Sequence, residues 1–190
     1  ASNRMENVSD VSHSKIIENA GIQGSMFDYA DHPIEKVRVA IVGLGNRGTT
    51  LVEMLSWLVR HGHAEIVSIC DVQPKYLDRA EASIAEFQKS APRRVDGSSD
   101  ENEWQNMCNP EEADLLIVAT PWRWHAPMAT YAMEQGLHVA TEVPIAYTVE
   151  ENVELLKTAE RTKRHCIMLE NCCYNGEELF LLNMVKEGAF

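Results

Sequence analysis

No run of about 18 consecutive apolar residues occurs in this chain, so no segment reads as a bilayer-spanning helix. The N-terminus also lacks the charged-then-apolar pattern of a secretory signal, which leaves the compartment open because a leader can be removed upstream of residue 1. A basic cluster is missing too. Lysine and arginine number 17 against 29 acidic residues, for a net charge of −12 over 190 residues. A phosphate-backbone partner needs a concentrated cationic face, so no nucleic-acid partner is expected. The densest cationic stretch, RTKRH at Arg161–His165, falls at a predicted helix end, where cations offset the helix dipole. The five cysteines are odd in number, irregularly spaced and without a Cys-x-x-Cys pair for zinc or redox work. Cys70 and Cys166 lie in strands expected to be buried, where a thiol acts as a small hydrophobe. His61 and His63 form a His-x-His turn without partner ligands, so no metal is expected.

What is present is a regular alternation. Residues 1–30 are polar and weakly patterned and read as a poorly ordered arm. From Val37 to Val42 a short β-branched run ends in glycine, as a strand buried on both faces does. Leu51, Met54, Leu55 and Leu58 then recur at helical spacing up to Arg60. AEIVSICD is a second strand. The helix after it has Pro74 in its first turn and Tyr76, Ala80, Ile84 and Phe87 on one face. A minimal strand near Val95 and a short helix carrying Trp104 follow. ADLLIVATP is the clearest strand, and the next helix stops at Gly136, suited to a left-handed cap. LHVATEVP is a fifth strand. Thr148 and Glu151 have capping-box spacing at the start of a further helix. HCIMLEN is a sixth strand, and a last helix ends at Gly188. Continuously apolar strands alternating with helices predict a doubly wound, mostly parallel α/β sheet in three layers, α/β/α, with strand order 3-2-1-4-5-6.

At the end of the first strand stands Gly43-Leu44-Gly45-Asn46-Arg47-Gly48. Alone, Gly-x-Gly-x-x-Gly is a weak signal. Directly after a buried strand and opening a helix, it is the fingerprint of a dinucleotide-binding Rossmann domain. Gly43 permits the tight turn, Gly45 admits a diphosphate close to the backbone, and Gly48 lets helix pack on strand. The helix N-terminus offers free N–H groups and a positive dipole end to the phosphates. Asp71, at the tip of the second strand, is placed to accept from the adenosine ribose hydroxyls. Its charge repels a 2′-phosphate by roughly 4 kcal/mol for a unit pair at ~4 Å and an effective dielectric near 20, so NAD is expected rather than NADP. Arg47 is the nearby cation that would offset that repulsion.

Ligands of such sheets lie outside the carboxyl ends of the strands. There the fourth strand supplies ATPWRWH (Thr120, Trp122, Trp124, His125), the fifth TEVP (Glu142, Val143), and the sixth LENCCYN (Asn171, Tyr174). Each has a plain packing alternative, with the tryptophans covering a sheet edge, His125 capping a helix and Tyr174 half-buried. Gathered on one rim they point to a binding site.

VGLGNRG, CDVQP, TPWRWH, HVATEVP and the stretch from MLENCCYN to VKEGAF resemble the Gfo/Idh/MocA oxidoreductase superfamily over roughly Pro33 to Phe190. They are most similar to its NAD-dependent glycosidase branch, typified by α-N-acetylgalactosaminidases. Dehydrogenases of the superfamily carry Glu-Lys-Pro at the fifth strand, where the lysine helps move a proton. Here the triplet is Glu142-Val143-Pro144, and valine transfers no proton. The resemblance implies NAD as cofactor, with Gly43, Gly45 and Gly48 at the turn and Asn46 and Arg47 on the diphosphate. It implies Asp71 on the ribose, Thr120 and the Trp122–His125 stretch flanking the cofactor, Glu142 and Val143 at the nicotinamide half, and Asn171 holding that half. Tyr174 matches the catalytic base. The implied reaction is redox-neutral: hydride leaves C3 of a sugar for NAD, the C2 proton is removed, the C1 substituent is eliminated, water adds, and the hydride returns. Paired carboxylates of an ordinary glycosidase are not needed. A free tyrosine titrates near ~10, so the site must lower it. Cys172 and Cys173 are expected as a buried, reduced pair.

Residues 31–190 are thus expected to form the NAD-binding domain, with the superfamily's second, sugar-binding domain outside this chain, which alone would bind NAD with little turnover. The expected substrate is a small-molecule sugar or glycoside. A homo-oligomer would form through the second domain, and exported relatives suggest a bacterial periplasmic setting, with the cytoplasm as the alternative. Two other functions stay open: a sugar or cyclitol dehydrogenase, and a non-catalytic NAD-binding protein.

Overall fold

The computed structural model describes residues 20–189. Six strands form one sheet in the order β3-β2-β1-β4-β5-β6, and every neighbouring pair is parallel. They are β1 (Val37–Val42), β2 (Ala64–Asp71), β3 (Arg93–Asp96), β4 (Leu115–Val118), β5 (His138–Thr141) and β6 (Cys166–Met168). The helices between and after them are α1 (Asn46–Arg60), α2 (Pro74–Ala85), α3 (His125–Glu134), α4 (Val149–Thr162) and α5 (Gly176–Lys186). Short 3-10 turns at Glu103–Met107 and Trp122–Trp124 complete the order. The strand order is the one the alternation predicts, and Trp104 rides on a 3-10 turn rather than an α-helix.

The period of two along β1 divides the core. Val39 and Ile41 face one layer, with Leu51, Val52 and Leu55 of α1 and Leu77, Ala80 and Ile84 of α2. Ala40 and Val42 face the other, with Met128 and Ala132 of α3, Leu155 and Ala159 of α4, and Trp104 and Met107. Three layers follow directly from that alternation. Between β1 and β4, Arg38 Nε and Nη2 donate to both oxygens of Asp114 (3.1 and 2.6 Å), whose Oδ2 also accepts from the Arg38 N–H at 2.7 Å. Burial opposes ionisation of Asp114, but these bonds and the arginine charge outweigh it and hold the carboxyl below the usual carboxylate range. Thr148 and Glu151 form the predicted capping box, and Gly136 takes the left-handed conformation at φ 97°.

Two expectations need correction. The arm assigned to residues 1–30 lies partly outside the described residues, but residues 20–30 run along the end of α4 and are pinned there. The Glu160 carboxylate accepts from the N–H groups of Gln23 (3.0 Å) and Ser25 (2.7 Å), and Lys163 reaches Ser25 Oγ at 2.7 Å. Just past the arm, Arg164 pairs with Asp31 at 2.7 Å. The cations of RTKRH are therefore spent on partners within the fold. Second, β6 is not a strand buried on both faces. Cys166 is half-buried, while Ile167 and Met168 are exposed, and α5 buries none of its residues. An edge strand has a neighbour on one side alone, and α5 does not seal it.

Candidate functional site

The carboxyl ends of β1, β2 and β4 meet at the glycine turn. The Gly43 N–H donates to the Cys70 carbonyl at 2.9 Å, and the Ala119 N–H donates to the Val42 carbonyl at 2.9 Å. Gly43 has φ 86°, and a Cβ there would sit 2.6 Å from the Ala119 carbonyl oxygen. A Cβ on Gly48 would strike the Gly43 carbonyl. These two glycines are thus required by backbone contact. Gly45 differs, because a Cβ there would meet nothing within 4 Å. The space beside it is open for a ligand to approach the main chain. The Thr49 N–H makes the first intrahelical bond, to the Gly45 carbonyl at 3.0 Å. The N–H groups of Asn46, Arg47 and Gly48 precede it and remain available, at the positive end of the α1 dipole.

Asp71 is 9% exposed and already employed. Its Oδ2 accepts the Leu44 N–H at 2.7 Å and its Oδ1 the Gln73 N–H at 2.8 Å. Each carboxylate oxygen has a second lone pair, so the group braces the turn and can still take ribose hydroxyls. A cavity of about 290 Å³ opens beside it, lined by Gly43, Gly45, Cys70, Asp71, Gln73, Tyr76, Glu101, Trp104, Thr120, Pro121, Arg123, Trp124 and Met128. Trp104 is buried there, and its Nε1 has no hydrogen-bond partner. Burial pushes the Cys70 thiol up to about 12, so that wall carries no thiolate. A half-enclosed, largely apolar slot ending at a carboxylate and a row of free N–H groups fits an adenosine diphosphate moiety.

The other expected residues separate on the structure. Thr120 and Trp124 line the cavity, but Trp122 turns away from it and lies against Tyr147, ring centroids 6.0 Å apart. His125 is fully buried, with Nδ1 2.7 Å from the Pro144 carbonyl and Nε2 2.8 Å from that of Thr120. It ties the tips of β4 and β5 together beneath the cleft. Glu142, 8% exposed, receives Arg47 Nε at 2.5 Å. The Arg47 side chain is therefore drawn across the sheet to the end of β5, where its charge is paired with that of Glu142. Asn171 and Tyr174 stand in the exposed loop after β6, Tyr174 at 82% exposure. Cys172 and Cys173 are free and exposed, not buried as expected, because no described residue packs over the loop that follows the edge strand.

Sequence reading missed several wall residues. Tyr76 packs against the core from α2 as expected and is also half-buried along the cavity, and Gln73, Glu101 and Met128 are wall residues that the sequence does not single out. The available signal was position, since Gln73 and Tyr76 follow Asp71 at the carboxyl end of β2.

The model of the oxidoreductase family with an NAD-binding Rossmann fold, Gfo/Idh/MocA, matches residues 37–170. The chain belongs to this family. NAD is accordingly the cofactor of this Gfo/Idh/MocA domain. Among curated proteins it is 42% identical over 168 residues to a Glycosyl hydrolase family 109 protein of Bacteroides fragilis, covering 88% of this chain and 38% of that protein. It is 41% identical to an alpha-N-acetylgalactosaminidase of the same species, with the same coverage. The chain therefore spans well under half the length of these relatives. Among solved structures, the WlbA dehydrogenase of Chromobacterium violaceum, in complex with NADH and UDP-GlcNAcA, aligns with a TM-score of 0.68 and 25% identity over 85% of this chain and 43% of that one. The scyllo-inositol dehydrogenase of Lactobacillus casei aligns with a TM-score of 0.67 at 18% identity, over 81% of this chain and 42% of that one, a likeness of fold.

Proposed function

We propose that this domain serves a glycosidase that cleaves an α-N-acetylgalactosaminide-like glycoside by a redox-neutral route. The carrying observation is Val143, between Glu142 and Pro144 at the tip of β5. An aliphatic side chain stands where a dehydrogenase of the resembling pattern needs a proton carrier. The 41% identity to an alpha-N-acetylgalactosaminidase supports the same reading. When bound, NAD supplies a reversible hydride acceptor for C3 of the sugar. The N–H groups of Asn46, Arg47 and Gly48 hold the diphosphate, and Asp71 holds the ribose. Glu142, Val143 and Asn171 would border the nicotinamide half. His125, buried between the Thr120 and Pro144 carbonyls, packs between the tips of β4 and β5 and supports them. Tyr174, on the exposed loop after β6, takes the C2 proton once C3 is a ketone, which opens the way for loss of the C1 substituent and addition of water.

The test is exchange of the C2 proton in heavy water on the enzyme with a glycoside, followed together with nicotinamide absorbance. Exchange with no net absorbance change is expected, and Tyr174→Phe should lose exchange while NAD still binds. Unchanged exchange in that variant removes Tyr174 from the role of base. A net gain of reduced nicotinamide would instead establish a sugar or cyclitol dehydrogenase, the reading supported by the likeness to the WlbA dehydrogenase. NAD binding with neither turnover nor exchange would leave a non-catalytic NAD-binding protein.

A further inference from the structure

Arg79 lies on α2, outside the glycine fingerprint, yet its guanidinium reaches back to the turn. Its Nη2 donates to the Leu44 carbonyl at 2.7 Å, to the Gly45 carbonyl at 3.2 Å and to Thr49 Oγ1 at 2.6 Å. The same guanidinium sits over the Tyr76 ring, 4.9 Å from its centroid. Leu44 is thereby held through the two successive peptides that flank it, Asp71 accepting its N–H at 2.7 Å and Arg79 binding its C=O.

We propose that Arg79 is a positioning residue for the cofactor's diphosphate, holding the carbonyls of Leu44 and Gly45 back so that the first-turn N–H groups face the ligand. The physical reason is sign. A peptide whose oxygen swung forward would present a negative dipole end to a dianionic group, whereas one tied back presents its hydrogen. Among the described residues the Leu44 carbonyl has one other partner, Thr49 Oγ1 at 3.2 Å, a neutral and longer contact. Arg79 also brings a fixed positive charge to the rear of the turn. Through Tyr76 it couples the turn to the wall of the adenosine cavity, and Asp71 closes the same loop of contacts from β2. The inference rests on the NAD cleft and not on the glycosidase reading.

Binding to the chain itself tests it, with NAD, ADP and adenosine as probes, by calorimetry for the nucleotides and ligand-observed NMR for adenosine. Adenosine lacks the diphosphate and reports the cavity alone. Arg79→Met should weaken NAD and ADP by about tenfold, the scale of a lost charge-assisted hydrogen bond, with adenosine within about twofold. Arg79→Lys, which keeps the charge but loses the flat stack on Tyr76, should fall between the two. A merely structural role predicts equal losses for ADP and adenosine, and that result overturns the proposal. So does ADP binding to Arg79→Met as tightly as to the parent. If Arg79→Met does not fold, Arg79→Lys decides the matter by the same ratio: selective weakening of ADP supports the role, and no selectivity rejects it.

Discussion

Around Gly43–Gly48 and Asp71, backbone and side chains hold one another with little left to supply. Gly43 and Gly48 touch main chain, Asp71 and Arg79 take the N–H and the C=O of one residue, Leu44, and Leu51, Val52 and Leu55 of α1 with Leu77, Ala80 and Ile84 of α2 pack on β1 and β2, while Met54 and Leu58 of the expected α1 face stay exposed. Around Met168–Val185 the reverse holds. Ile167, Met168, Phe180 and Leu182 are exposed, α5 buries none of its residues, and the start of the loop with Asn171 and Tyr174 is tied by the Asn171 and Cys172 N–H groups donating to the Glu170 carboxylate. The difference teaches that the end of the sheet proposed to hold the adenosine diphosphate is organised by its own packing. The end assigned to the reacting half of the cofactor carries chemically capable side chains without a wall to hold them. Affinity for NAD should therefore survive changes at β6 and α5, and catalytic competence should not.

The sharpest way to break this contrast is at Gly48. Gly48→Ala forces a methyl into the Gly43 carbonyl, with an expected cost of roughly 3 kcal/mol in denaturant unfolding and loss of NAD binding by calorimetry. Leu116→Ala, in the centre of β4, should cost about 3 kcal/mol through the cavity it leaves. Asp71→Asn is expected to unfold only slightly more easily but to weaken NAD by about 2 kcal/mol, roughly thirtyfold. It should also narrow the preference over NADP, measured by competitive titration. At the opposite end, Phe180→Ser on α5 should change stability by less than about 0.5 kcal/mol. A loss approaching that of Leu116→Ala would show that α5 is packed after all.

Acid should also act on the well-packed part. Asp114 titrates below its unfolded value, so its stabilisation is complete above about pH 4 and is lost as pH falls through the folded value. His138 is depressed as well. Burial is the first cause, and Arg164 and His165 outweigh the opposing pull of Asp31 and Asp114. The neutral ring is thus favoured in the fold, and its contribution is present above about pH 6.5 and declines as pH drops below it. Melting temperature should be flat from pH 8 to about 7, ease below about 6.5 and fall steeply below about 4. His138→Gln should remove the first decline and leave the second, which scanning calorimetry across pH would reveal.

Much of this was legible before any coordinates. The strand order follows from apolar runs alternating with helical periodicity, and the glycine turn and Asp71 could be named because their spacing is local to one strand-turn-helix unit. Tyr76 and Trp104 were visible as aromatics, but not as walls of one cavity. The partnership of Arg47 with Glu142 was not legible, because those residues meet only where the ends of β1 and β5 are brought onto one rim. Nor was the burial of His125 on two carbonyls, or the exposure of Cys172 and Cys173, since neither burial nor exposure of a loop is written in its composition.

The sequence by itself determined the parallel sheet, its winding and the glycine turn, because those depend on periodicity and on the backbone freedom of particular glycines, both properties of short segments. Tertiary structure alone decided which charges pair, where Arg79 and Arg47 spend their guanidinium groups, and which apolar residues stay in water. Those outcomes depend on distances between segments far apart in the chain, and only the closed fold sets them.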